Sequence, residues 1–171
     1  MNLEAEILKE HSKQQAVKIS RWVGDDEKRF DVLMDIFLNG EYRVVQRASW
    51  IVSHCAEKHP ALITPWLPKL IMKASERGVH DAVKRNVARI LQFVDLPKKL
   101  QGSVANLCFG FLQSVDAPIA VKAFSMTVLA NIAAVQPDLK RELSLVIEEM
   151  MPYGGPGIRS RAKKVLKQLS A

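Results

Sequence analysis

Cysteine and aromatic residues are scarce in this chain, and long apolar runs are missing. Only two cysteines, Cys55 and Cys108, occur in 171 residues. Both fall inside apolar helical patterns, which predicts buried small hydrophobes and excludes a disulfide framework. Aromatics are 6% of the chain and hydrophobic residues 48%. Ala, Val, Leu and Ile must therefore fill the interior, which suits helices packed closely on helices. No apolar run approaches the roughly 18 residues of a membrane span. Residues 1–10 mix acidic, basic and apolar side chains and lack the charged, apolar and small-residue regions of a secretion signal. A soluble, cytoplasmic protein is the expectation. No segment shows the sustained alternation of strands joined by hairpin turns.

Catalytic and metal-binding patterns are also missing. His11, His54, His59 and His80 make no pair with metal-site spacing to Cys or carboxylate partners on one helix face. No cofactor or metal is expected, and no local Ser-His-Asp or Cys-His arrangement supports nucleophilic catalysis. Gly154-Gly155-Pro156-Gly157 precedes a basic helix start and invites comparison with a phosphate loop. It lacks the Gly-Lys-Ser/Thr ending, and Pro156 removes one donor N–H, so an inter-helix turn is expected.

What the chain does contain is a repeat. The segments starting at Val44, Val83, Val121 and Ile158 begin 39, 38 and 37 residues apart. In each, apolar or small residues recur at offsets 0, +4, +7 and +8, which is one face of an α-helix. Ile51, Ile90, Val128 and Val165 hold offset +7; Val52, Leu91, Leu129 and Leu166 hold offset +8. Each such helix B is preceded by a helix A. Asp25-Asp26 caps the first, and Pro60, Pro97 and Pro137 open the others. The unit is helix A, turn, helix B, with boundaries at 25–59, 60–95, 96–136 and 137–171. Residues 1–24 form a cap of one or two helices with a weaker stripe at Ala16, Ile19, Ser20 and Val23.

A proline-led helix A followed by a helix B opening Val83-Lys84, Val121-Lys122 or Ile158-Arg159 resembles the HEAT family of the armadillo-like superfamily. Asp81 and Asp116 resemble its turn acids. The first repeat departs, with Val45 where a base is expected. The resemblance spans nearly the whole chain and extends to short bacterial proteins of this kind. It implies an all-α, right-handed α-α superhelix (a HEAT/armadillo-like solenoid) of about four helical hairpins with N-terminal capping helices, in one domain over 1–171. It also implies that the B helices line a concave face.

Charge is distributed unevenly along this pattern. The net charge is +7. Residues 43–55, 82–94, 119–134 and 158–168 together hold 11 Lys and Arg and no Asp or Glu. Offsets +2, +3, +6 and +10 are expected to point outward. They present Arg47, Trp50 and His54, then Arg85, Asn86 and Arg89, then Asn131, then Arg161 and Lys164. Guanidinium and amide donors suit carboxylates, phosphates or a peptide backbone. Trp50 reads as a groove anchor or as a packing residue, since large aromatics serve both uses. The bases of the last helix read equally as a solvated terminal face.

A monomeric, non-catalytic binding module is expected, holding an acidic or extended protein segment on the basic B-helix face. The alternative is phosphate-backbone binding of nucleic acid by the same bases. A third reading, a glycosylase of the DNA-alkylation-repeat type, needs an acid on the inner face, where the four spans hold none.

Overall fold

A computed structural model describes residues 1–171. The chain is all-α, and no residue is in a strand. Contacts divide it into two compact units, Met1–Val94 and Asp95–Ala171.

In the first unit, α1 is Leu3–Lys9, α2 Lys13–Val23, α3 Glu27–Asn39 and α4 Tyr42–Lys58. Then come α5 (Pro60–Ile63), a 3-10 turn at Thr64–Trp66, α6 (Leu67–Ser75) and α7 (Asp81–Leu91). Helices α2, α4 and α7 lie side by side as one layer, while α3 packs on α4 and α6 on α7 behind them. The starts follow local chemistry. Asn2, Ser12 and Asp26 each accept a hydrogen bond from a backbone N–H of the first helical turn, a contact worth about 1 kcal/mol. Gly24 and Gly78, with φ of 56° and 72°, supply the left-handed backbone at two chain reversals.

The helix A expected to open at Pro60 is broken in the structure. Pro65 and Pro68 each lack an N–H, so the segment cannot sustain one unbroken ladder. It folds instead as a short α turn, a 3-10 turn and α6.

In the second unit, α8 is Lys98–Gln113, α9 Ile119–Val135, α10 Leu139–Met150 and α11 Pro156–Ser170. Helix α9 packs against α8, α10 and α11. Enclosure on three sides explains why α9 is apolar nearly all round and carries Lys122 as its one base.

The repeat stripe is the core. Fifteen of the sixteen side chains at offsets 0, +4, +7 and +8 are buried, among them Ala48, Val52, Val83, Val121 and Ala162 with no exposed surface. The exception, Leu166, lies on the last helix. Burying each larger apolar side chain contributes about 1.5–3 kcal/mol. Phe30, Leu33, Met34 and Phe37 of α3 complete the interior of the first unit. Val104, Cys108, Leu143 and Ile147 do the same in the second. Burial pushes the Cys55 and Cys108 thiols up to about 12, which fits their reading as apolar filler.

Candidate functional site

Of the nine residues singled out in the sequence, six lie in the first unit and three in the second. In the first unit the α4 and α7 layer presents Trp50, half-buried, between two imidazoles. The His11 ring meets it edge-on with centroids 6.2 Å apart, and the His54 ring stacks at 6.0 Å. The spacing from Trp50 to His54, four residues on α4, makes this stack possible. Desolvation lowers the His54 pKa, and the neighbouring positive charge of Arg89 lowers it further, followed by Lys58 and Lys13; Glu57 opposes them. His54 Nε2 is buried without a hydrogen-bond partner, an environment that favours the neutral ring.

Arg89 reaches across from α7 to Glu57 of α4, Nη2 to Oε2 at 2.7 Å. This pair corrects one expectation. The B helices are not free of acids, because α4 runs to Lys58 and includes Glu57, and α7 begins with Asp81. The acid-free spans were too short, since helix ends are the least legible part of a sequence. Arg85, one turn before Arg89, is exposed.

Offset +3 proves to be an internal position. Asn86 was expected to point outward, but it is 2% exposed. Its Nδ2 donates to Ser49 Oγ at 3.1 Å and to the Ala82 carbonyl at 2.8 Å, so it joins α7 to α4 and is not available to a partner. Arg47 Nη1 donates to the Leu8 carbonyl at 2.8 Å and more weakly to that of Ile7, occupying the open C-terminal carbonyls of α1. In the second unit, Arg161 Nη1 donates to Thr127 Oγ1 and to the Ala123 carbonyl on the preceding B helix. Three of the expected outward groups therefore bind their own fold. The physical reason is that a helix offers neighbours on two sides in a stack. A polar residue beside the apolar stripe reaches the preceding helix before it reaches solvent.

Asn131 and Lys164 are exposed in the second unit, on α9 and α11. Helix α11 holds Arg159, Arg161, Lys163, Lys164 and Lys167 and no acid. Arg159 turns back to the Met151 and Pro152 carbonyls of the preceding turn, at 3.2 Å each. Lys163, Lys164 and Lys167 remain exposed.

No helix is long and apolar enough to cross a membrane. A family model described as a HEAT repeat domain matches residues 3–169. No curated protein matches the chain.

Proposed function

Since the chain belongs to the HEAT repeat family, we propose that it is a non-catalytic binding module whose B-helix surface holds an acidic or extended protein segment. Membership in a generally non-catalytic repeat family supports the role of a protein-interaction scaffold. The observation that carries the finer reading is Trp50, partly buried between His11 and His54, with His54 itself under the positive charge of Arg89, Lys58 and Lys13 against the negative charge of Glu57. A partly exposed indole on the helix layer that also carries the exposed Arg85 matches a segment that alternates apolar and acidic side chains. Arg85 meets a partner carboxylate directly. Arg89 exchanges Glu57 for one, a step that costs little because the pair is half-exposed. Arg47, Asn86 and Arg161 hold the repeats in register and act on binding only through the shape they maintain.

A second reading is favoured by α11, where five bases and no acid lie on one helix and Lys163, Lys164 and Lys167 are exposed. These suit phosphate groups of a nucleic acid. The glycosylase-like reading has a carboxylate to consider in Glu57, but that group is engaged by Arg89, and nothing favours it as a catalyst.

Titration with a fluorescent Glu- and Leu-rich peptide and with a random DNA duplex separates the two binding readings. The acidic-segment reading expects the peptide to bind and Arg85→Glu/Arg89→Glu to abolish binding. Peptide affinity unchanged in that variant overturns it. Duplex binding that weakens by about one logarithmic unit per phosphate contact for each tenfold rise in salt, and that is lost in Lys163→Glu/Lys164→Glu/Lys167→Glu, establishes the second reading instead.

A further inference from the structure

The His54 imidazole stacks on Trp50 in a position that leaves no place for a second ring proton. The two ring centroids are 6.0 Å apart and the planes 30° from parallel. Nε2 of His54 is enclosed and has no hydrogen-bond partner. A neutral ring leaves only a lone pair unmatched there. A protonated ring carries N–H on both nitrogens, so a charged donor would point at a site without an acceptor. That costs more than leaving a neutral group unpaired.

The surroundings add to this cost. Arg89 of α7, Lys58 of α4 and Lys13 of α2 face the ring with positive charge, and Glu57 of α4 opposes them. The Glu57 carboxylate is already held by Arg89 at 2.7 Å. His11 meets the indole edge-on from the connection between α1 and α2. Attraction of an imidazolium to the indole face is weak at 6.0 Å, the outer limit of such contacts. The alternative position is water. His54 is partly exposed, and rotation about its own side-chain bonds carries the ring off the indole without moving α4.

We propose that His54 is a proton-operated cover on Trp50. Neutral, it lies on the indole and narrows the apolar anchor. Protonated, it leaves the ring, frees that part of the indole and adds a cation to the B-helix layer. The cover deepens the acidic-segment reading and rests on it for its use, since an opened indole beside an added positive charge suits such a segment better. Linkage gives the sign. The uncovered ring takes a proton at the ordinary imidazole value, and the covered ring only below it. Acidification through the ordinary value therefore favours the open site. Binding of the segment in turn draws a proton onto His54 over the same range.

The first arm of the test needs no partner. The chain carrying Trp22→Phe/Trp66→Phe keeps Trp50 as its one indole. Acrylamide quenching of its fluorescence is expected to rise about twofold between about pH 7.5 and about pH 5, as the population shifts to the uncovered ring. His54→Phe, which stacks on the indole and takes no proton, is expected to hold the quenching constant flat, and His11→Gln to leave the rise in place. In the unmodified chain the Trp50 indole N–H signal, assigned with Trp50→Phe, is expected to move in NMR spectra with the His54 midpoint, so the answer does not depend on folding of the double variant. In the second arm the Glu- and Leu-rich peptide is expected to tighten on acidification by about fivefold more in the wild type than in His54→Phe, a comparison that cancels titration of the peptide itself. The proposal is overturned if quenching and the Trp50 signal stay unchanged while His54 protonates. It is equally overturned if His54→Phe shows the same rise, or if the peptide binds both chains with the same pH dependence. A rise in quenching that His54→Phe abolishes, with no peptide binding at either pH, supports the cover and overturns the acidic-segment reading alone.

Discussion

Asn86 of α7 donates its side-chain amide to Ser49 Oγ of α4 at 3.1 Å, in a setting where Asn86 is almost wholly enclosed. Ser49 in turn donates to the Gln46 carbonyl at 2.7 Å. A buried polar link between successive B helices favours one axial register, because a shift of either helix breaks the bond to Ser49 and leaves the amide only the Ala82 carbonyl of its own helix. Asn86→Ala is expected to destabilise the first unit by about 1–3 kcal/mol, the cost of a lost buried hydrogen-bond partner. Urea denaturation followed by circular dichroism measures it. Binding of the acidic peptide by the folded variant should stay close to wild type, since Asn86 faces inward.

Arg47 performs a comparable task at the edge of the unit, where its guanidinium holds the last carbonyls of α1. Its partly exposed position limits the effect. Arg47→Ala is expected to favour opening of α1 by about 1 kcal/mol, roughly a fivefold rise in amide exchange there. Hydrogen exchange with mass spectrometry should place the change in residues 3–9 and leave α3 and α7 protected.

Glycines in this chain differ in what they tolerate. A Cβ on Gly40 would lie 2.5 Å from the Ile36 carbonyl oxygen, a backbone atom that cannot step aside. Gly40→Ala is expected to cost about 1–3 kcal/mol through forced backbone movement. Gly110, inside α8, would meet nothing within 4 Å. Gly110→Ala is expected to stabilise by about 0.5–1 kcal/mol through helix propensity. Thermal melts of the two variants should move in opposite directions.

The imidazole of His54 is held below its ordinary value first by desolvation and next by the charge of Arg89. The folded state therefore binds this proton less readily than the unfolded state does. Its contribution to stability is present above the ordinary imidazole value. It begins to be lost as pH falls through that value, and the loss is complete below the lowered one. An NMR titration should find His54 neutral at pH values where an ordinary histidine is already half charged. Arg89→Gln should raise the His54 midpoint, while the desolvating contribution stays.

The sequence by itself determined the repeat, its period and the stripe that becomes the core. Burial of Val44, Val83, Val121 and Ile158 follows from offsets that a 3.6-residue helix imposes whatever its surroundings. The capping at Asp26 was legible for the same reason, being local chemistry. The candidate site was legible only in part. Arg85 and Lys164 are exposed as expected, and Trp50 and His54 share a face as their spacing requires. The fates of Asn86, Arg47 and Arg161 were decided by tertiary structure, because each binds a group 34 to 40 residues away. Glu57 escaped notice because α4 continues past the last repeat position, and its meaning depends on Arg89 lying opposite. Local periodicity says which face of a helix is apolar. Only the packing of one helix on the next decides which polar side chains at its border find each other and which are left for a partner.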